Sequence, residues 1–249
     1  MSSDLIERRE GGTCRVTLNR PQSGNALSAA LVTQLADVVD RCYEGGVDTL
    51  VLDGAGKFFC TGFDLSDLDG ETDDSLLGRF VRIEVLLQRL HSAPFRTVAI
   101  ARGRAMGAGA DLFAACRVRI IDGDAAFSFP GASGFGLVLG TRRLAAIVGV
   151  AAARDWIVSG RVVGAREALG SELATDMSPP GESGARWAAV GRPVDLQTAA
   201  ALRVALGEHA PERDRQDLAL LVESAARPGL KQRIAAYIAA LESKRKTPQ

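Results

Sequence analysis

The sequence predicts an α/β fold that ends in a helical region. Three observations carry this reading. Short alternating or wholly apolar segments interleave with helical stripes through the first half of the chain. Only helical patterns occur beyond residue 195. The chain has 249 residues, 47% of them hydrophobic and 24% charged, which suits a sizeable core and not a disordered chain. Short strands with crossover helices first and helices alone last predict a core over residues 1–194 and a helical region over 195–249.

Residues 4–9 and 13–19 alternate in strand fashion, with Gly11-Gly12 as a hairpin turn between them. Asn25 or Ser28 caps a helix running to about Tyr43, with Leu31, Leu35, Val38 and Val39 on one face. Thr49 to Leu52 reads as a buried strand, and Gly54 to Asp74 as a loop too long for a mere connector. A helix follows from about Ser75 to His91, and Pro94 ends it. Thr97 to Ala101 is a strand, followed by a glycine-rich turn into a short helix from near Gly107 to Cys116. Arg117 to Ile121 and Ala126 to Phe129 read as two short strands, the second ended by Pro130. Helical pattern resumes near Gly140, with breaks at Gly149 and Gly160. Residues 171–194 are loop-rich. Three helices fill Asp195 to Lys246, broken near Ala210-Pro211 and Pro228-Gly229.

Composition excludes several classes of function. Lys plus Arg equals Asp plus Glu at 30 each, which argues against a broad nucleic-acid surface. Two histidines leave no basis for a multi-His metal site. No apolar run reaches the ~18 residues of a membrane span, and Met1 to Glu10 lacks the pattern of a secretory signal. Cys14, Cys42, Cys60 and Cys116 are widely spaced without a CxxC pair, so buried reduced thiols in a cytoplasmic protein are expected. Gly54-Ala-Gly-Lys57 lacks the full phosphate-loop pattern, and Phe58 stands where its hydroxyl should be. Gly103 to Ala110 lacks dinucleotide-fold spacing, and Gly131-Ala-Ser-Gly-Phe135 misses a nucleophile elbow. His91 and His209 read as surface or capping residues rather than triad partners.

Glycine supplies the positive lead. There are 27, above the typical ~7%, and glycine marks turns or close backbone approach. Two glycine-bearing segments each follow a buried strand: Lys57-Phe-Phe-Cys-Thr-Gly-Phe-Asp-Leu65, and Gly103 to Asp111. Each can present a backbone N–H to a common point, and two donors aimed at one oxygen make an oxyanion hole. The same segments also suit plain turns that pack strand against helix.

Several pieces then occur in a telling order. They are Leu18-Asn-Arg-Pro21 with Asn25-Ala-Leu-Ser28, Phe59 to Leu65, Gly103 to Cys116, Phe127-Ser-Phe-Pro130, Gly140-Thr-Arg-Arg-Leu144, Ser159-Gly-Arg161 and Ala165 to Leu169. In this order the chain resembles the enoyl-CoA hydratase/isomerase (crotonase) superfamily, from the N-terminal strands to Gly170, with a weaker helical likeness to about Tyr237. The resemblance implies a crotonase-like spiral of ββα units and a C-terminal helical trimerisation region, as a trimer or a dimer of trimers. It implies an acyl-CoA thioester as ligand, with coenzyme A entering as part of the substrate and no tightly bound cofactor, and chemistry of the kind used in fatty acid metabolism. It places the oxyanion-hole N–H groups on Phe63 and Ala108. It takes the ligand path along Ala26, Ser28, Lys57, Cys60, Thr61, Gly62, Asp64 and Leu65, then Met106, Gly107 and Gly131.

The acid–base positions depart from the family pattern. Hydratases use two glutamates; the first falls at Asp111, one methylene (~1.5 Å) shorter, and the second falls at Gly131, which has no side chain. Phe63 is also bulkier than the usual alanine. Three outcomes stay open: Asp111 alone moves a proton, as in double-bond isomerisation; a substitute group comes from Ser128–Ser133 or from the Asp64-to-Asp74 loop; or the protein binds acyl-CoA without efficient turnover. Single-carboxylate, isomerase-like transfer is favoured over two-glutamate hydration.

Overall fold

The computed structural model describes residues 3–184, 195–206 and 210–246. Strands β1 (Leu5–Glu10) and β2 (Thr13–Leu18) pair antiparallel, Leu5 opposite Leu18 and Glu10 opposite Thr13, across the Gly11-Gly12 turn. Strands β3 (Thr49–Gly54), β4 (Arg96–Met106) and β5 (Val118–Ser128) extend the sheet in parallel register. Strand β3 is buried along its whole length, and its centre, Leu50 to Leu52, is a short apolar run.

The two short strands expected between residues 117 and 129 are one strand, β5. Its register against β4 shifts between Ala101 and Gly103, and Gly123 takes φ +77°. A glycine in that conformation lets the strand bend and continue, which alternation alone does not reveal. Strand β5 also carries β6 (Val163–Gly164) antiparallel and β7 (Asp176–Ser178) parallel. Strand β7 lies in a stretch that reads as loop, because three residues carry no pattern.

Helix α1 (Ala29–Tyr43) is capped by Ser28, whose hydroxyl accepts from Leu31 N–H. Asn25 has another task. It is fully buried at φ +56°, and its amide donates to the carbonyls of Ala55 and Phe58, pinning the loop after β3. Helix α2 (Asp73–His91) starts two residues before the expected Ser75, because Thr72 and Ser75 form a reciprocal capping box. Helices α3 (Ala108–Ala114), α4 (Gly131–Phe135), α5 (Thr141–Val148), α6 (Val150–Ser159) and α7 (Ala165–Gly170) follow. The C-terminal helices are α8 (Leu196–Ala205), α9 (Pro211–Ala225) and α10 (Leu230–Lys246). The expected boundary at residue 194 and His209 lie outside the described residues.

One apolar core joins the sheet to α1 and α3. A second core, with Leu76, Phe80, Leu137, Leu221, Leu230 and Ile234, packs α9 and α10 onto α2 and the segment after β5. The Asp73 carboxylate fixes that arrangement by accepting from the N–H groups of Gly229, Leu230 and Lys231. It thereby serves the free donors at the start of α10. A wholly buried pair, Arg143 to Glu84 at 2.8 and 2.6 Å, ties α5 to α2. Arg142 reaches Asp214 and Asp217 on α9. All four cysteines are free and buried. His91, expected as a surface or capping residue, is half-buried at the end of α2, and burial together with the nearby cations of Arg143, Arg142, Arg117 and Arg203 lowers its pKa to about 4. Among the described residues, no helix is long and apolar enough to cross a membrane.

Candidate active site

The two glycine-bearing segments run side by side. Cys60 N–H donates to Arg104 C=O at 3.2 Å, and Met106 N–H to Cys60 C=O at 3.0 Å. Gly62 takes φ +95°, and a Cβ there would lie 2.5 Å from the Met106 carbonyl oxygen. A Cβ at Gly109 would lie 2.3 Å from that of Cys60. Both positions therefore need glycine for the segments to approach this closely.

That pairing turns two amides toward open space. Phe63 bridges Leu27 in parallel fashion, using its neighbours: Leu27 N–H donates to Gly62 C=O, and Asp64 N–H donates to Leu27 C=O. The Phe63 N–H consequently points away from Leu27. Gly107 caps α3 at φ +51° and ψ −127°, and its own N–H goes to Ser128 C=O at 2.8 Å. Ala108 is then the first helical residue, where an N–H has no intrahelical partner. The positive φ falls on Gly107 and not on Ala108, so alanine is accommodated without strain. Among the described residues, neither the Phe63 nor the Ala108 N–H has a backbone acceptor.

Both residues line a cavity of about 910 Å³. Thr61, Gly62, Leu65, Met106, Gly107, Asp111 and Gly131 line it too. The other five expected contact residues stand off its wall. Ser28 caps α1, and Cys60 is fully buried beside β4. Asp64 is held by Arg20 at 2.7 Å and by Ser66 N–H, and the Ala26 carbonyl accepts from the same Arg20. Lys57 is exposed, its Nζ 5.4 Å from the Phe58 ring that does line the cavity.

Asp111 projects from α3 with 6% exposure. Burial pushes its carboxyl well above the ordinary carboxylate range; the Arg143 cation opposes this and the Glu84 anion adds to it. Its side chain lies against Gly140, where a Cβ would sit 2.2 Å from Asp111 Oδ1. Among the described residues lining the cavity, Asp111 is the one carboxylate.

The substitutes that the sequence left open are engaged elsewhere or lie off the wall. Asp64 pairs with Arg20 and Asp73 holds α10. Ser133 is exposed, and Ser128 lines the cavity with its hydroxyl 3.0 Å from Met106 Sδ. Gly131 opens α4, and a Cβ there would meet the Leu137 carbonyl oxygen at 3.3 Å.

Several wall residues escaped the sequence reading. Thr141 and Arg104 are among them, as are Phe135 on α4 and Tyr237 and Leu241 on α10. Tyr237 and Leu241 are four apart and so share a helix face, but that spacing says nothing of what the face covers.

Comparisons with known proteins identify the family. The family model for enoyl-CoA hydratase/isomerase matches residues 8–192. A Bordetella parapertussis protein of solved structure that bears the enoyl-CoA hydratase/isomerase name is 42% identical, with a TM-score of 0.90 over 96% of this chain and 99% of that one. A Thermus thermophilus protein named for enoyl-CoA hydratase is 30% identical over 91% of this chain and 85% of its own. A Bacillus subtilis protein named likewise is 35% identical over 62% of this chain and 61% of its own length. The chain belongs to the enoyl-CoA hydratase/isomerase family and has its crotonase fold.

Proposed function

We propose that the cavity binds an enoyl-CoA thioester and moves its double bond, with Asp111 as the lone proton carrier. The thioester carbonyl oxygen lies between the N–H groups of Phe63 and Ala108. Ionised Asp111 takes a proton from Cα of a 3-enoyl thioester. The electron pair passes to the carbonyl oxygen, where the two donors hold the developing charge. Protonated Asp111 then returns the proton at Cγ, the double bond settles between Cα and Cβ, and the carboxylate is regenerated. No water is consumed, so no second carboxylate is needed to hold one. Coenzyme A enters as part of the substrate, and no tightly bound cofactor takes part.

The observation that carries this reading is, among the described residues, a single cavity carboxylate beside two backbone donors without a backbone acceptor. Turnover of a 3-enoyl-CoA panel by Asp111→Asn tests it. A loss of about 10²–10⁴-fold is expected for a group that transfers the proton; unchanged turnover contradicts the proposal.

One observation favours a second reading, an acyl-CoA binder with weak turnover. Burial raises the Asp111 pKa well above the ordinary carboxylate range, which disfavours the ionised form that takes the proton. Exchange of Cα hydrogen in heavy water separates the two: a binder takes up the thioester and shows none. We further propose a homotrimer, or a dimer of trimers, in a reducing cytoplasm. Exposed Leu202 and Leu206, four apart along α8 and its C-terminal cap, support the assembly, and light scattering after gel filtration reads its mass.

A further inference from the structure

The aromatic residues are distributed unevenly. The chain has nine phenylalanines, two tyrosines and two tryptophans. Six of them line the one cavity described above: Phe58, Phe63, Phe80, Phe129, Phe135 and Tyr237. Four form a continuous series. Phe63 stacks on Phe80 with centroids 4.3 Å apart, Phe80 lies 6.1 Å from Phe135, and Phe135 meets Tyr237 edge to face at 5.6 Å. The series runs from the proposed oxyanion donor at Phe63 to helix α10.

The orientation of Phe63 decides what this wall can recognise. The Arg79 guanidinium carbon lies over its ring at 4.0 Å, and Phe80 stacks on it at 4.3 Å. Two groups that close cannot share one face, so each takes its own. Phe63 is therefore left with its edge to offer the cavity. An aromatic edge carries partial positive charge, and it is complemented by the negative π face of another ring. The cation over the ring draws its electrons further from that edge. A saturated chain or ring has no π face to return.

We propose that the acyl group of the preferred substrate carries an aryl ring close to the thioester, received edge to face along the Phe63–Phe80–Phe135–Tyr237 wall. This rests on the reading of the cavity as an acyl-CoA site with its carbonyl held at Phe63. An aromatic pair adds to area burial by an amount worth about threefold to tenfold in affinity.

Titration calorimetry on the full chain with three thioesters of equal acyl carbon number tests this. They are phenylacetyl-CoA, cyclohexylacetyl-CoA and octanoyl-CoA. Binding is read because a phenyl group itself acidifies Cα and would distort an exchange assay. Apolar area alone favours the saturated ligands, so the expected order is opposite to hydrophobicity: phenylacetyl-CoA binds threefold to tenfold more tightly than either. Phe135→Leu, and separately Tyr237→Leu, brings the phenyl-to-cyclohexyl ratio toward one, with folding checked by circular dichroism. Equal or reversed affinities, or full preference retained in both folded variants, overturn the aryl inference and leave the acyl-CoA reading standing. Failure of all three thioesters to bind overturns both.

Discussion

Asp111 is the residue on which the proposed chemistry depends, and its burial has consequences that are measurable without substrate. The folded state holds a proton that the unfolded chain releases. Stability therefore falls as pH rises from the ordinary carboxylate range toward the raised folded value, and the loss is complete above that value. Asparagine has no such proton. Asp111→Asn should therefore melt higher than the parent at neutral pH, by about 2–4 °C for each kcal/mol recovered, with the gap closing near pH 4. A constant gap between pH 4 and 8 in thermal melts would contradict the burial argument. The proposed oxyanion donor at Ala108 has a cleaner test, because proline is tolerated at a first helical position and removes the N–H. Ala108→Pro should cost about 10²–10³-fold in turnover while the melting temperature stays within a few degrees. The motif order singled out Phe63, Ala108 and Asp111 in the sequence, and the three positions line one cavity. The proton affinity of Asp111 was not readable there, because it comes first from burial under elements distant in sequence, with Arg143 opposing the rise and Glu84 adding to it.

At the scale of elements, the site depends on close passages between segments distant in sequence. The start of α5 is the tightest. Gly140 takes φ +63° and gives Asp111 the space a Cβ would fill. Gly140→Ala should displace the carboxylate and strain the backbone, costing about 1–3 kcal/mol in stability and most of the turnover. Steady-state kinetics beside denaturant unfolding check both, and a fully active variant would show that this contact does not position Asp111. Strands β1 to β4, α1, α2 and the breaks near Pro211 and Gly229 were readable because apolar period, caps and proline act locally. The join of two expected strands into β5 was not, since a glycine bulge carries the strand through the gap left between them. Nor was the seating of α10 on the cavity, which rests on Asp73, more than 150 residues away in sequence. The local pattern of α10 shows a helix face, but its partner is set by tertiary structure.

Across the whole molecule, charge is balanced in number but concentrated in place. Arg142, Arg143, Glu84, Asp214 and Asp217 join α5, α2 and α9, with neutral His91 near this cluster. Its pKa of about 4 lies below the ordinary ~6.5. The unfolded chain thus binds a proton that the folded one refuses as pH falls through this range, and stability is lost between pH 6.5 and about 4. His91→Gln should flatten that part of the acid-unfolding curve; an unaltered slope would contradict the assignment. Among the described residues the arrangement leaves one carboxylate facing the cavity, and the products formed from a single substrate test that most directly. A 3-enoyl-CoA incubated with the enzyme and followed by proton NMR should give the 2-enoyl thioester with little 3-hydroxyacyl thioester, and Asp111→Asn should abolish the conversion. Water addition at a rate comparable to isomerisation, or conversion undiminished in the variant, would contradict a site that works with Asp111 alone.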